Sequence, residues 1–193
     1  ARKAEEAGET VLISTGDKDL AQLVTKRVTL VNTMSGLVMD PQGVIDKFGV
    51  PPDKIIDFLA LTGDSIDNVP GIPKCGSKTA AKWLNTYGSL DEVISHADEI
   101  GGKIGEVFRK HLNVLPLSRD LVTIKTDCVL DVSLDGLECK KPDIKMLKKI
   151  YTELELNQFL KQLNYESPSF KSSKFLDGSN PIDPDYSLVT TLE

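Results

Sequence analysis

The chain has 193 residues, 40% hydrophobic and 27% charged, with 23 Lys and Arg against 29 Asp and Glu for a net charge of −6. That length supports a buried core without staples, and that composition excludes disordered and fibrous classes. No apolar run approaches the roughly 18–20 residues of a bilayer span, so no membrane partner is expected.

Cys75, Cys128 and Cys139 form no CxxC pair, which speaks for reduced thiols and a cytoplasmic setting rather than a disulfide frame or zinc site. The first residues, Ala-Arg-Lys-Ala-Glu-Glu, lack both an initiator Met and the apolar core of a signal peptide. The expectation is a piece of a longer protein.

In chain order, Val11-Leu12-Ile13-Ser14-Thr15 is a short β-branched run between Gly8 and Gly16 and predicts a buried parallel strand. Asp17 is placed to cap a following helix with Leu20, Leu23 and Val24 on one face. Residues 28–32 predict a second strand, and Leu37-Val38-Met39 pairs back across the Ser35-Gly36 turn. Asp40-Pro41 opens a helix that stops at Phe48-Gly49, and Pro51-Pro52-Asp53 opens another with Ile55, Ile56, Phe58, Leu59 and Leu61 as its apolar face.

Gly63, Pro70, Gly71, Pro73 and Gly76 make 63–76 an irregular loop. Helix resumes from Ser77 to Tyr87, Ser89-Leu90-Asp91-Glu92 starts the next by a capping box, and helical patterning continues to about Leu121. Val122-Thr123-Ile124 and Val129-Leu130 are expected as strands, and 144–151 and 154–163 as helices. From Ser167 the composition turns to Ser, Pro, Asp and Asn, a linker or tail whose end, 186–190, suits a first strand of a further domain.

Two acidic turns stand out. Gly16-Asp17-Lys18-Asp19 follows the first strand directly, and ligand sites in open parallel sheets form beyond the carboxyl ends of strands. Gly63-Asp64-Ser65-Ile66-Asp67-Asn68 follows an apolar helix. Four carboxylates held together by two Gly-anchored turns repel one another unless a cation offsets them, and Mg²⁺ accepts oxygen ligands with water completing its shell. Each turn by itself also fits ordinary Asx-turn chemistry. The expectation that joins them is spatial: Asp17, Asp19, Asp64 and Asp67 share one solvent-accessible pocket at the sheet edge.

The loop after the second turn, from Val69 through Gly76-Ser77-Lys78-Thr79-Ala80, has the pattern of a helix-hairpin-helix. Free amides at the start of its second helix, with the helix dipole, make a phosphate seat. Lys74, Lys78 and Lys82 accompany it, with no acidic residue between Asp67 and Asp91. A local positive strip of this kind suits contact with a phosphate backbone and reads shape rather than base sequence.

Thr15-Gly16-Asp17-Lys18-Asp19, the run Phe58–Gly71 (FLALTGDSIDNVPG) and Gly76-Ser77-Lys78-Thr79-Ala80 resemble, in order and spacing, the 5′-nuclease (flap endonuclease-like) family, most of all the exonuclease domains that precede bacterial polymerase domains. The resemblance runs from the first residues to about Leu163. It implies an α/β fold: a partial PIN-like, Rossmann-like parallel sheet, then a mostly helical region with a helix-three-turn-helix DNA-binding motif. Residues 1–50 would carry the sheet and carboxylate turn, 51–166 the helical region, and 167–193 the linker toward polymerase domains.

By the same resemblance Asp17, Asp19 and Asp64 are metal-binding and catalytic carboxylates, with Asp67 a further member of the cluster. The cofactor would be Mg²⁺ or Mn²⁺ in a two-metal site, the reaction phosphodiester hydrolysis at 5′ ends and flaps during replication and repair, and the partner duplex or flap DNA bound by a monomer. Lys74, Gly76, Ser77, Lys78, Thr79 and Lys82 would contact DNA, and in some relatives this hairpin also holds K⁺ through carbonyl oxygens. Two departures follow. Lys74 stands where relatives commonly have Gly, which calls for a left-handed residue or a shifted turn. The family's first acidic cluster lies upstream of Val11, so little cleavage is expected of this chain alone.

Two other readings compete. The run 55–68 also resembles the metal-binding strand end of haloacid-dehalogenase-type phosphatases, although Asp17-Lys18-Asp19 lacks the Thr two residues on that such a nucleophile motif carries. The other is a structure-selective DNA-binding module with no catalysis.

Overall fold

The computed structural model describes residues 1–138 and 141–164. Cys139 and everything after Asn164, including the expected linker and the strand at 186–190, lie outside the described residues. Two compact units divide between Leu137 and Glu138.

In the first unit, α1 (Arg2–Glu6) leads to β1 (Val11–Ser14), β2 (Val28–Asn32) and β3 (Leu37–Met39), hydrogen-bonded in the order β1-β2-β3. β1 and β2 run parallel with Val11 beside Val28, and β3 returns antiparallel with Met39 beside Leu30. Asn32 Oδ1 accepts from the Met34 and Ser35 amides and so shapes the hairpin. β1 corrects one expectation. Its side chains alternate between half-buried and exposed, with Leu12 63% exposed, because among the described residues β1 pairs on one edge only.

The helical region builds on local signals. In α2 (Pro41–Phe48) Asp40 accepts from the Gly43 amide, Pro41 fills the first helical position, and Gly49 ends the helix in the left-handed conformation. α3 (Ile55–Thr62) buries Ile55, Phe58, Leu59, Ala60 and Leu61 and forms the hub of the core. Around it pack α4 (Ser77–Tyr87), α5 (Leu90–Ser95), α6 (Gly102–Lys110) and α7 (Leu115–Val122), which supply Leu84, Leu90, Phe108 and Leu115 to one apolar cluster. Ser89 accepts from the Glu92 amide at 3.2 Å, the forward half of the expected capping box. Arg119 on α7 ties Asp57 on α3 (3.1 Å) to Asp91 on α5 (3.0 Å).

The expected strands at 122–124 and 129–130 do not form; Val122 ends α7, and 123–132 carry no strand pairing. At 122–124 a side chain meets the backbone instead. Gln22 donates from Nε2 to the Val122 carbonyl at 2.8 Å and accepts from the Ile124 amide at 3.0 Å. In the second unit α8 (Ile144–Glu153) and α9 (Asn157–Asn164) correspond to the two helices expected there, α9 starting three residues later than expected, with Tyr151 and Phe159 rings 5.5 Å apart.

Candidate active site

The turn after β1 is built by short Asx-type bonds. The Asp17 amide donates to Thr15 Oγ1 at 3.0 Å, and Asp17 Oδ1 accepts from the Asp19 amide at 2.9 Å. The chain then winds as a 3₁₀ helix over Asp19–Leu23, with Lys18 at its N-cap, rather than the α-helix capped by Asp17 that the sequence suggests. Asp17 is exposed, and Asp19 is half-buried.

The second turn is a closed loop. Asp64 and Val69 form an antiparallel bridge, their amides and carbonyls exchanged at 3.0 and 2.7 Å. Asn68 takes the left-handed conformation (φ 55°) that Asn tolerates, which lets the loop close. Within it Asp64 Oδ1 accepts from the Ile66 amide at 2.8 Å and the Asp67 amide at 3.4 Å. Asp64 is one of two buried polar side chains among the described residues, at 7% exposure. Asp67 stands exposed.

The two turns meet. Lys18 Nζ lies 2.5 Å from Asp64 Oδ2. The charges acting on the Asp19 carboxyl include Asp17, Asp64 and Asp67, so the four carboxylates occupy one electrostatic neighbourhood. Burial first, then Asp17, raise the Asp19 pKa above the ordinary carboxylate value. The Asp64 carboxyl is held below that value, chiefly by the hydrogen bond from Lys18 and then by the Ile66 amide. Asp19 Oδ1 is buried with no hydrogen-bond partner. As the side chains stand, no three His, Cys, Asp or Glu among the described residues are clasped as a metal-ligand group. The Lys18 ammonium sits against Asp64 Oδ2 in this arrangement.

The donor set fits a hard divalent ion: hard oxygens, like charges gathered together, and one buried oxygen left unpaired.

The hairpin that follows depends on close backbone contact. A Cβ on Gly63 would stand 2.7 Å from the Gly71 amide nitrogen, and one on Gly71 would stand 2.5 Å from the Thr62 carbonyl carbon. Two glycines therefore press the loop against the end of α3, and the Ile72 amide donates to the Leu61 carbonyl at 2.9 Å. Ser118 of α7, fully buried, donates to the Pro70 carbonyl at 2.6 Å and fixes the loop from the other side. Lys74 has φ 66°, the left-handed non-glycine residue that the turn requires.

At the end of the loop Gly76 is the N-cap of α4 and offers no side chain to cap it. The Thr79 and Ala80 amides both turn back to the Gly76 carbonyl, while those of Ser77 and Lys78 find no partner among the described residues. Nothing lies within 4 Å of where a Gly76 Cβ would be. Lys74, Ser77, Lys78 and Lys82 are exposed, Thr79 is half-buried, and none of these lysines is paired with a carboxylate among the described residues.

Lys18, Gln22 and Ser118 carry structure that sequence reasoning did not assign. The legible signal for Lys18 was a lone cation between two acidic candidates; for Ser118 it was a hydroxyl on the apolar face of a helix.

Residues 50–145 match the family model described as the 5′-3′ exonuclease C-terminal SAM fold. DNA polymerase I of Pseudomonas aeruginosa is 41% identical over 201 residues, covering 98% of this chain and 22% of that protein. The 5′-3′ exonuclease of Aquifex aeolicus is 39% identical over 164 residues, covering 85% of this chain and 56% of its own length. The chain belongs to the 5′-3′ exonuclease family.

Solved exonuclease relatives agree in fold. The T5 flap endonuclease in a pseudo-enzyme-product complex with DNA and metal ions superposes with a TM-score of 0.60 at 16% identity, over 84% of this chain and 54% of that one. The T5 5′-exonuclease with bound zinc superposes with a TM-score of 0.56 at 17% identity, over 84% and 55% of the two chains. The matches support the nuclease reading rather than a phosphatase or a purely DNA-binding one. The fold counts against the phosphatase independently, because Ile55–Thr62 ahead of Asp64 is a helix, not the strand that motif needs. Among the described residues no helix is long and apolar enough to cross a membrane.

Proposed function

We propose that this chain supplies part of a divalent-metal-dependent phosphodiesterase that acts on 5′ ends and flaps of DNA in replication and repair. Asp17, Asp19, Asp64 and Asp67 would hold Mg²⁺ or Mn²⁺, the ion activating water and stabilising the leaving oxygen when bound. The observation that carries the reading is Asp19: a half-buried carboxylate beside three others, with a buried oxygen that finds no hydrogen-bond partner among the described residues. Asp64 is oriented for the task by the Ile66 and Asp67 amides, which leave Oδ2 as its outward ligand atom.

The duplex would be held apart from the carboxylates by the amide end of α4. There Gly76 lets a phosphate approach the Ser77 and Lys78 amides, Thr79 lies in the same turn, and Lys74, Lys78 and Lys82 supply charge. Carbonyls of this hairpin are also where K⁺ would sit. In this reading residues 1–50 carry the carboxylate turn, 51–166 the duplex contacts and 167–193 a connection to polymerase domains, in a monomer working in the cytoplasm.

Mn²⁺ titration of the chain tests the reading directly. Wild type should bind weakly, and Asp19→Asn should lose at least about tenfold in affinity, as expected when a charged ligand becomes neutral. Unchanged binding by Asp19→Asn removes the carboxylate cluster from the mechanism. In the longer polymerase context, Asp64→Asn should lower flap cleavage on the order of 10²-fold or more.

A further inference from the structure

We propose that Lys18 is an internal counter-ion that competes with the divalent cation for Asp64, so that metal enters the cluster by displacing the Lys18 ammonium. The inference rests on the reading of Asp17, Asp19, Asp64 and Asp67 as metal ligands, and adds a residue that sets how readily they load.

The geometry leaves little choice. Asp64 Oδ1 is committed to the Ile66 and Asp67 amides, which close the loop. Oδ2 is the atom free for a ligand, and Lys18 Nζ occupies it at 2.5 Å. The pair is asymmetric: the Lys18 side chain is 39% exposed and that of Asp64 only 6%. A buried carboxylate that lost this partner with nothing in exchange would be strongly disfavoured. Among the charges acting on Asp19, Asp17, Asp64 and Asp67 repel, and Lys18 alone attracts. One flexible ammonium therefore offsets a cluster that the fold would otherwise have to hold against its own repulsion.

Lys18 is also well placed to leave. It sits at the N-cap of the 3₁₀ turn, its backbone is not part of any strand, and its long stem reaches solvent. A divalent cation at Oδ2 would replace one positive charge with two beside carboxylates that repel one another. The ammonium then swings into water at little cost.

The test measures free Mn²⁺ by electron paramagnetic resonance in titrations of the whole 193-residue chain, with thermal melts run in parallel. Lys18→Met should bind Mn²⁺ about fivefold more tightly than wild type, the upper equilibrium factor of a part-exposed ion pair. Lys18→Arg keeps the charge and should stay near wild type. Lys26→Met, which removes an exposed lysine with no carboxylate partner, controls for net charge and should also stay near wild type. Without metal Lys18→Met should melt below wild type, and saturating Mn²⁺ should close that gap. If Lys18→Met does not hold its fold metal-free, Lys18→Gln is held to the same fivefold criterion. Wild-type affinity in the neutral variants, while Asp19→Asn loses Mn²⁺, overturns the competition and leaves the ligand assignment standing. Equal Mn²⁺ binding by wild type, Asp19→Asn and Lys18→Met overturns both.

Discussion

Asp19 and Asp64 are neighbours with opposite titration behaviour, and the difference lies in their partners. Asp64 has Lys18 and two amides, so its pKa is lowered; it adds stability above the ordinary carboxylate value and loses it as pH falls through the lowered one. Asp19 has burial and like charges, so its pKa is raised; it favours the fold only at acid pH, and that contribution is lost as pH rises through the raised value. At neutral pH the ionised Asp19 therefore works against folding. Asp19→Asn should raise the metal-free melting temperature by about 1–3 °C at pH 7, a part-exposed charge effect of under about 1 kcal/mol. The gain should fade near pH 4, and the same variant should lose Mn²⁺. A lower melting temperature in Asp19→Asn at pH 7 would show that the carboxylate has a structural partner after all. Cys75 differs from both: burial alone pushes its thiol up to about 12. It should resist alkylation at pH 8.5 while exposed Cys128 reacts, as peptide mass mapping will report.

At the scale of elements, the loop 63–76 links the two parts of the proposed site, and its glycines differ in what surrounds them. Gly71 packs against the end of α3 so closely that any Cβ must push backbone aside. Gly71→Ala should cost about 3 kcal/mol in urea unfolding, the upper range of overpacking. Gly76 has open space in front of it and φ −86°, a value any residue adopts. Gly76→Ala should leave stability within about 0.5 kcal/mol, yet weaken duplex binding, because the methyl stands where a phosphate would approach the amides. Equal stability losses in the two variants would mean that Gly76 is structural too. The pattern of glycines in the sequence marked this loop as irregular; which glycine is packed and which faces open space depends on what α3 and α7 bring up to it. The helices were legible because their caps are local, as Asp40 with Gly43 and Ser89 with Glu92 show. The strand expected at 122–124 was not, because a β-branched run reads the same whether its backbone meets another strand or, as here, the side chain of Gln22 about a hundred residues away; nothing in the structure explains why 129–130 is not a strand.

Over the whole molecule, charge is the property that composition alone misjudges. A net charge of −6 opposes a polyanion, yet 68–90 contains no acidic residue and presents Lys74, Lys78 and Lys82, unpaired among the described residues. The acidic excess is partly the site itself: four carboxylates gathered by two distant turns, whose meeting no local pattern reveals and which only the contact of Lys18 with Asp64 makes visible. Field and patch act over different ranges. At about 10 mM salt the screening length of roughly 30 Å lets the whole acidic surface repel DNA, whereas near 150 mM it shrinks to about 8 Å and the lysine strip acts almost alone. Duplex binding should therefore show a shallow salt dependence. With about three phosphates neutralised, log K against log salt should fall with a slope near −2.7 or flatter at low salt, where repulsion partly cancels release of counterions. Changing Lys74, Lys78 and Lys82 singly to Ala should each reduce that slope by about 0.9, and the triple variant should bring it close to zero. A triple variant that keeps the wild-type slope would place the DNA contact on another face and detach the α4 hairpin from the substrate.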